Sequence, residues 1–149
     1  MLKFRGHHIH TIDQKGRLSI PSKFREILRT EYDERLMVSF LGHCLAAYPY
    51  SEWEKLEENF LRLPQGDKRV NQYLRTFLSA VEECPLDTQG RILIPPILRE
   101  RAGLKDKVKV LGCLYKIEIW DYDRAVTEVD DKFAEVSSVT EQLSEQFRF

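Results

Sequence analysis

What this 149-residue sequence lacks narrows it first. No apolar run approaches the roughly 20 residues that a membrane-crossing helix requires. The N-terminus, with Arg5 and three histidines among its first ten residues, has none of the apolar stretch of a signal peptide. No membrane partner is expected, and the expected address is the cytoplasm. Cysteine is scarce: Cys44, Cys84 and Cys113 are odd in number, far apart and without C-x-x-C spacing, which argues against a disulfide framework and a zinc site. A nucleophile elbow, a phosphate-cradling glycine loop and a metal triad are also missing, so no enzyme, no cofactor and no small-molecule substrate is expected.

Strong net charge is missing too. A balance of -1 argues at face value against nucleic acid, because affinity for DNA comes largely from Lys and Arg displacing counterions from phosphates. The average hides an asymmetry. Residues 1–29 carry seven Lys and Arg against two acids, a formal +5, whereas residues 121–149 carry three against eight, a formal -5. An anionic partner should meet the first third of the chain, and the tail should stay away from it.

What is present is a duplication. Asp13 to Glu26, DQKGRLSIPSKFRE, returns as Asp87 to Glu100, DTQGRILIPPILRE, with identity at seven of fourteen positions. In each copy two branched residues, Leu18 and Ile20 or Ile92 and Ile94, lie two apart and share one face of a predicted strand. Pro21 and Pro95 end those strands and suit the first turn of a following helix. Phe24, Ile27 and Leu28 supply the apolar stripe of the first helix, and Gly103 marks the end of the second. Two apolar runs then pivot on Gly42-His43 in the first copy and near Gly112 in the second, so each copy reads as strand, short helix, hairpin.

At 149 residues and 42% apolar content, the chain suits one domain or two small, intimately packed ones. The predicted class is α+β, with repeats at 1–50 and 85–122. Residues 51–84 are read as connecting helices. Ser51 and Glu54 have capping-box spacing, and Val70, Tyr73, Leu74, Phe77, Leu78 and Val81 form a core-facing stripe on a second helix that stops before Pro85. Residues 123–149, with Val126, Val129, Phe133, Val136 and Leu143 among acids, read as one amphipathic helix that covers the core or meets a partner.

The repeated turn has its own chemistry. Gly16 takes a positive φ without steric cost and Asp13 bonds backbone amides just ahead of it, which makes a tight turn displaying Lys15 and Arg17. A guanidinium forks onto a phosphate or a guanine edge, and a pseudo-twofold pair would present Arg17 and Arg91 from related positions. Equally, Asp13 with Arg17 and Asp87 with Arg91 could simply hold the turns and serve no ligand. HHIH, His7 to His10, would place His8 and His10 on one strand face, but no acidic or cysteine partner stands at ligand spacing, so no metal is expected.

The string FRGHHIHTIDQKGRLSIPSKFRE, followed by LAAYPYSEWEKL, DTQGRILIPPILRERAGL and VKVLGCLYKIEIWD, closely resembles the bacterial MraZ family over nearly everything but the C-terminal helix. The resemblance implies two tandem AbrB-like repeats (SpoVT/AbrB, a swapped-hairpin barrel), each with an Asp-x-x-x-Arg loop, forming one pseudo-twofold domain. It implies a nucleoid-associated transcriptional regulator of the division and cell-wall gene cluster, its own promoter included. That regulator would be a ring-like homo-oligomer reading tandem G-rich boxes in double-stranded DNA. Carried over by residue, DNA contact falls on Lys15 and Arg17, with Asp13 and Gly16 shaping the loop. Arg91 and Gln89, with Asp87 and Gly90 as shaping residues, form the second loop, whose glutamine lacks the charge of Lys15. Arg5 is a weaker candidate. AbrB-like repeats also occur in antitoxins, whose acidic tails block a toxin, and the -5 tail is compatible with that alternative.

Overall fold

A computed structural model describes residues 2–149. Its strands are β1 (His7–Thr11), β2 (Arg17–Ser19), β3 (Arg35–Phe40), β4 (Leu45–Pro49), β5 (Glu82–Pro85), β6 (Arg91–Leu93), β7 (Lys107–Gly112) and β8 (Ile117–Asp121). The helices are α1 (Ser22–Glu31), α2 (Tyr50–Leu61), α3 (Lys68–Leu78), α4 (Pro96–Arg101), α5 (Tyr122–Glu128) and α6 (Val136–Phe147), with a 3-10 turn over Asp130–Glu135. The expected strand, helix and hairpin recur in order as β2-α1-β3-β4 and β6-α4-β7-β8. Pro21 and Pro95 occupy the N-cap positions of α1 and α4, and the amide of Gly103 closes onto the Glu100 carbonyl past the end of α4.

The class is α+β, and the two copies are interleaved. A six-stranded antiparallel sheet runs β1-β7-β8-β4-β3-β5, while β2 and β6 form a separate two-stranded ribbon. The strand that opens each copy therefore pairs with the other copy's hairpin: β1 lies along β7 and β5 along β3. The six-stranded sheet is open, with β1 and β5 at its edges.

Alternation along the strands builds three layers. Leu36, Val38, Leu45, Ala47, Val108, Val110, Ile117 and Ile119 face one side, where they meet Leu18, Ile20, Ile92 and Ile94 of the ribbon, Phe24 and Leu28 of α1 and Leu98 of α4. On the other side Ala46 and Tyr48 receive Trp53 of α2, and Trp120 receives Ala125 of α5. β4 is buried along its whole length because both of its faces are covered.

Several sequence expectations change. The second connecting helix ends at Leu78, and Glu82–Pro85 pair with β3 as an edge strand. Only an edge tolerates Pro85 and the exposed carboxylates of Glu82 and Glu83 there. No residue of α3 is buried. Tyr73 and Leu78 stay 52% and 40% exposed, because the helix docks through Phe77 against the Trp53 cluster, which Val81 joins just past the helix end, and through edge-on contacts of Tyr73 and Phe77 with Phe60. α2 starts at Tyr50 behind Pro49, so the Ser51/Glu54 capping box does not form. The second hairpin turns at Cys113–Lys116, with the Cys113 amide donating to the Lys116 carbonyl. Gly112 lies within β7, where a Cβ would strike the Phe4–Arg5 backbone crossing it. The C-terminal segment is not one helix: Lys109 pairs with Asp130 at 2.7 Å and Val129 packs beside Trp120, which turns the chain between α5 and α6. Among the described residues no helix is long and apolar enough to cross a membrane.

Candidate nucleic-acid interface

Both loops are built by the same bonds. In the first, Asp13 Oδ1 accepts from the amides of Lys15 and Arg17, each at 2.9 Å, and Oδ2 accepts from Arg17 Nε at 2.6 Å. The Gly16 amide donates to the Asp13 carbonyl, and the Asp13 amide to the Arg17 carbonyl. In the second, Asp87 Oδ1 accepts from the amides of Gln89 and Arg91 at 2.9 Å and Oδ2 from Arg91 Nε at 3.0 Å. Gly16 and Gly90 sit at φ +87° and +76°, in the left-handed region that glycine alone occupies cheaply.

This arrangement holds the turn and leaves room for a ligand. Each aspartate does hold its arginine, as a turn-stabilising pair would. It holds it by Nε alone, so among the described residues the two Nη groups of Arg17 and of Arg91 have no hydrogen-bond partner. A guanidinium anchored at one edge presents its other edge as a fixed fork suited to a phosphate or a guanine. The aspartates stay ionised to low pH. The Arg17 amide, followed by its side chain and the Lys15 amide, holds the Asp13 carboxyl below its usual range. The amides of Arg91 and Gln89, with the Arg91 side chain, do the same for Asp87.

The ribbon places the loops relative to each other. Arg17 opposes Leu93 and Ser19 opposes Arg91. Leu18 and Ile92 point into the core, so Arg17, Ser19, Arg91 and Leu93 share the outer face. Arg17 and Arg91 are thus diagonal neighbours, with a spacing of roughly 7–8 Å and somewhat less at Cβ. Lys15 and Gln89 are exposed beside them. Arg5 is not brought there. It precedes β1, beside the Phe4 to Leu114 bridge, and the five strand residues of β1 separate it from the first loop by roughly 17 Å. His8 and His10 do share a face, with ring centroids 6.3 Å apart, and His8 packs edge-on against Phe24 at 5.1 Å.

Two features of the face went unread in the sequence. Leu93 stands 59% exposed between the arginines, and its signal was an apolar residue at the position where the first copy has Ser19. Arg25 and Arg99 lie behind the loops, and their signal was identity across the duplication with no role attached.

Fold and site together define a class: an internally duplicated α+β protein that interleaves its copies to display two matched Asp-x-x-x-Arg loops on one face. The sequence model of the MraZ protein family matches residues 3–76 and again residues 77–140. A protein named transcriptional regulator MraZ from Syntrophobacter fumaroxidans is 48% identical over 118 residues, covering 79% of each chain. One of the same name from Caldicellulosiruptor saccharolyticus is 38% identical over 140 residues, covering 94% of this chain and 96% of its own. Another from Acetivibrio thermocellus is 38% identical over 141 residues, covering 95% and 96%. The chain belongs to the MraZ family, whose relatives here are named as transcriptional regulators.

Proposed function

We propose that the chain is a sequence-specific DNA-binding transcriptional regulator of the division and cell-wall gene cluster, acting also on its own promoter. The observation that carries this is the pair of arginines anchored through Nε on one ribbon face, their Nη groups without a hydrogen-bond partner among the described residues. Lys15 and Arg17 make the principal contact. Arg91 makes a second, with Gln89 hydrogen-bonding where Lys15 would add charge. Asp13, Gly16, Asp87 and Gly90 shape the loops. Arg5 takes no part.

One protomer offers few phosphate contacts, so its affinity alone is low. A ring-like homo-oligomer placing successive faces on tandem G-rich boxes turns later contacts into intramolecular events at high effective concentration. In this reading residues 1–50 and 85–122 carry the reading loops of an AbrB-like swapped-hairpin barrel; the exchange of β1, β2, β5 and β6 between copies supports that description. The acidic 123–149 segment stays off the DNA, and the working address is the nucleoid in the cytoplasm.

The test is a titration against the duplex immediately upstream of the protein's own gene, with a shuffled duplex of equal length as control. Preference for the native duplex by about a thousandfold or more is expected. Equal affinity for both would refute sequence-specific reading. A second reading, an AbrB-fold antitoxin, draws on residues 130–149, where Phe133, Val136 and Phe147 are exposed among acids. It predicts that deleting residues 130–149 abolishes neutralisation of a toxin while sparing DNA binding.

A further inference from the structure

We propose that Arg25 and Arg99 are positioning residues, each setting the loop of the opposite copy. The geometry crosses over. Arg25 Nε donates to the Ile20 carbonyl of its own strand at 3.0 Å, and Arg99 Nε to the Ile94 carbonyl at 3.1 Å. Beyond that anchor the side chains leave their own copies. Arg99 lies on Gly16, where a Cβ would come within 2.9 to 3.1 Å of its Cζ, Nε and Nη2. Arg25 lies on Gly90, where a Cβ would strike its Cδ and Nη1. Both glycines are buried, although their loops are exposed, because these arginines cover them.

A backbone bond completes each node. The Ile94 amide donates to the Gly16 carbonyl at 2.9 Å, and the Ile20 amide to the Gly90 carbonyl at 3.0 Å. One residue of the ribbon, Ile94, therefore gives its amide to the first loop's glycine and its carbonyl to the arginine covering that glycine. Ile20 does the same for the second loop. A planar guanidinium tied at Nε fills this flat space behind a glycine peptide, which a flexible ammonium fills less well. Among the described residues neither arginine forms an ion pair; Glu34 and Asp87 share a cavity with Arg25, and Glu82 and Glu83 share one with Arg99.

The consequence inverts the reading from sequence position. Arg25 stands in the basic first copy, yet it supports the second loop; Arg99 stands in the second copy and supports Lys15 and Arg17. The functional half of this inference rests on the DNA reading above, and the structural half does not. The test uses the full-length protein with Arg25→Met and Arg99→Met, read by amide hydrogen exchange and by DNA titration at two salt concentrations. Arg99→Met should raise exchange at Lys15 and Arg17 roughly tenfold while leaving Gln89 and Arg91 unchanged, and Arg25→Met should do the converse. Arg99→Met should also weaken binding about tenfold at an unchanged salt slope, with little further effect in an Arg17→Ala background and a full effect in an Arg91→Ala background. If a Met variant does not fold, Arg99→Lys and Arg25→Lys, which keep stem and charge, should show the same crossed pattern at smaller amplitude. Exchange rising in a variant's own copy, or equally in both loops, overturns the proposal, as does a shallower salt slope for Arg99→Met, which would make it a phosphate contact. A crossed exchange pattern in a protein that binds no DNA would uphold the positioning and refute the DNA reading alone.

Discussion

Replacing Trp53 by alanine removes the one buried side chain of the α2–α3 pair. Trp53 is 1% exposed and is the only buried residue of α2; α3 has none. Its ring meets Tyr48 of β4 at 5.6 Å and stacks on Phe77 of α3 at 6.1 Å, and Phe77 in turn touches Phe60 and Tyr73. Removing a buried tryptophan costs about 3–5 kcal/mol, through lost transfer free energy plus the cavity left behind. For a chain of this length each kcal/mol lowers the melting temperature by about 2–4 °C, so Trp53→Ala should melt roughly 6 to 20 °C below wild type. The loss should also be uneven. Amides of 68–78 should lose exchange protection before the sheet does, because α3 buries no residue of its own and leans on this aromatic ladder. The loops lie across the sheet on the other face and should keep their bonds. Melting by circular dichroism together with residue-resolved exchange measures both effects. A fall in melting temperature under about 3 °C, or protected α3 amides in the variant, would refute the reasoning.

His8 supplies a pH dependence. Burial against Phe24, and after it the nearby charges of His10, His7 and Lys23, lower its pKa below the usual 6.5. The folded state then resists protonation, so this contribution is complete above pH 6.5 and shrinks as pH falls through that value; His8→Gln should flatten the urea midpoint between pH 7 and 5.5. Asp130→Ala leaves Lys109, whose side chain is 10% exposed, without its 2.7 Å partner. It should cost about 1–3 kcal/mol in urea unfolding and speed proteolysis beyond Val129, and adding Lys109→Met should recover much of the loss. Residues 2–76 alone remove β5, β6 and β7, the strands that pair with β3, β2 and β1. That fragment should show no cooperative melting transition as a monomer.

Local chemistry was legible in the sequence, and relations between the copies were not. Asp13, Gly16 and Arg17 announce their turn because the bonds are between near neighbours, and the second copy repeats them bond for bond. Leu18, Ile20, Phe24 and Leu28 announce their burial by spacing alone. Strand exchange leaves no such trace, since β1 meets β7 about a hundred residues away and would show the same alternation whichever hairpin it joined. β5 was hidden for another reason. With Glu82 and Glu83 exposed and only Cys84 buried, an edge strand of four residues carries no alternating signal strong enough to displace the helix before it. The stripe of α3 is strongly periodic, but period reports which residues share a face and not whether anything covers that face; Tyr73 and Leu78 are the cost of that inference. Arg25 and Arg99 act through a glycine in the opposite copy, so their role appears only once the ribbon joins the two.

The central claim is that the first loop meets phosphate and base through Arg17. It is tested most directly by the affinity of folded, oligomeric Arg17→Ala for the duplex upstream of the protein's own gene, measured across a salt series beside wild type. A severe loss of affinity is expected, with the slope of log K against log salt shallower by about one for each protomer engaged. Wild-type affinity and wild-type slope in that variant would contradict it.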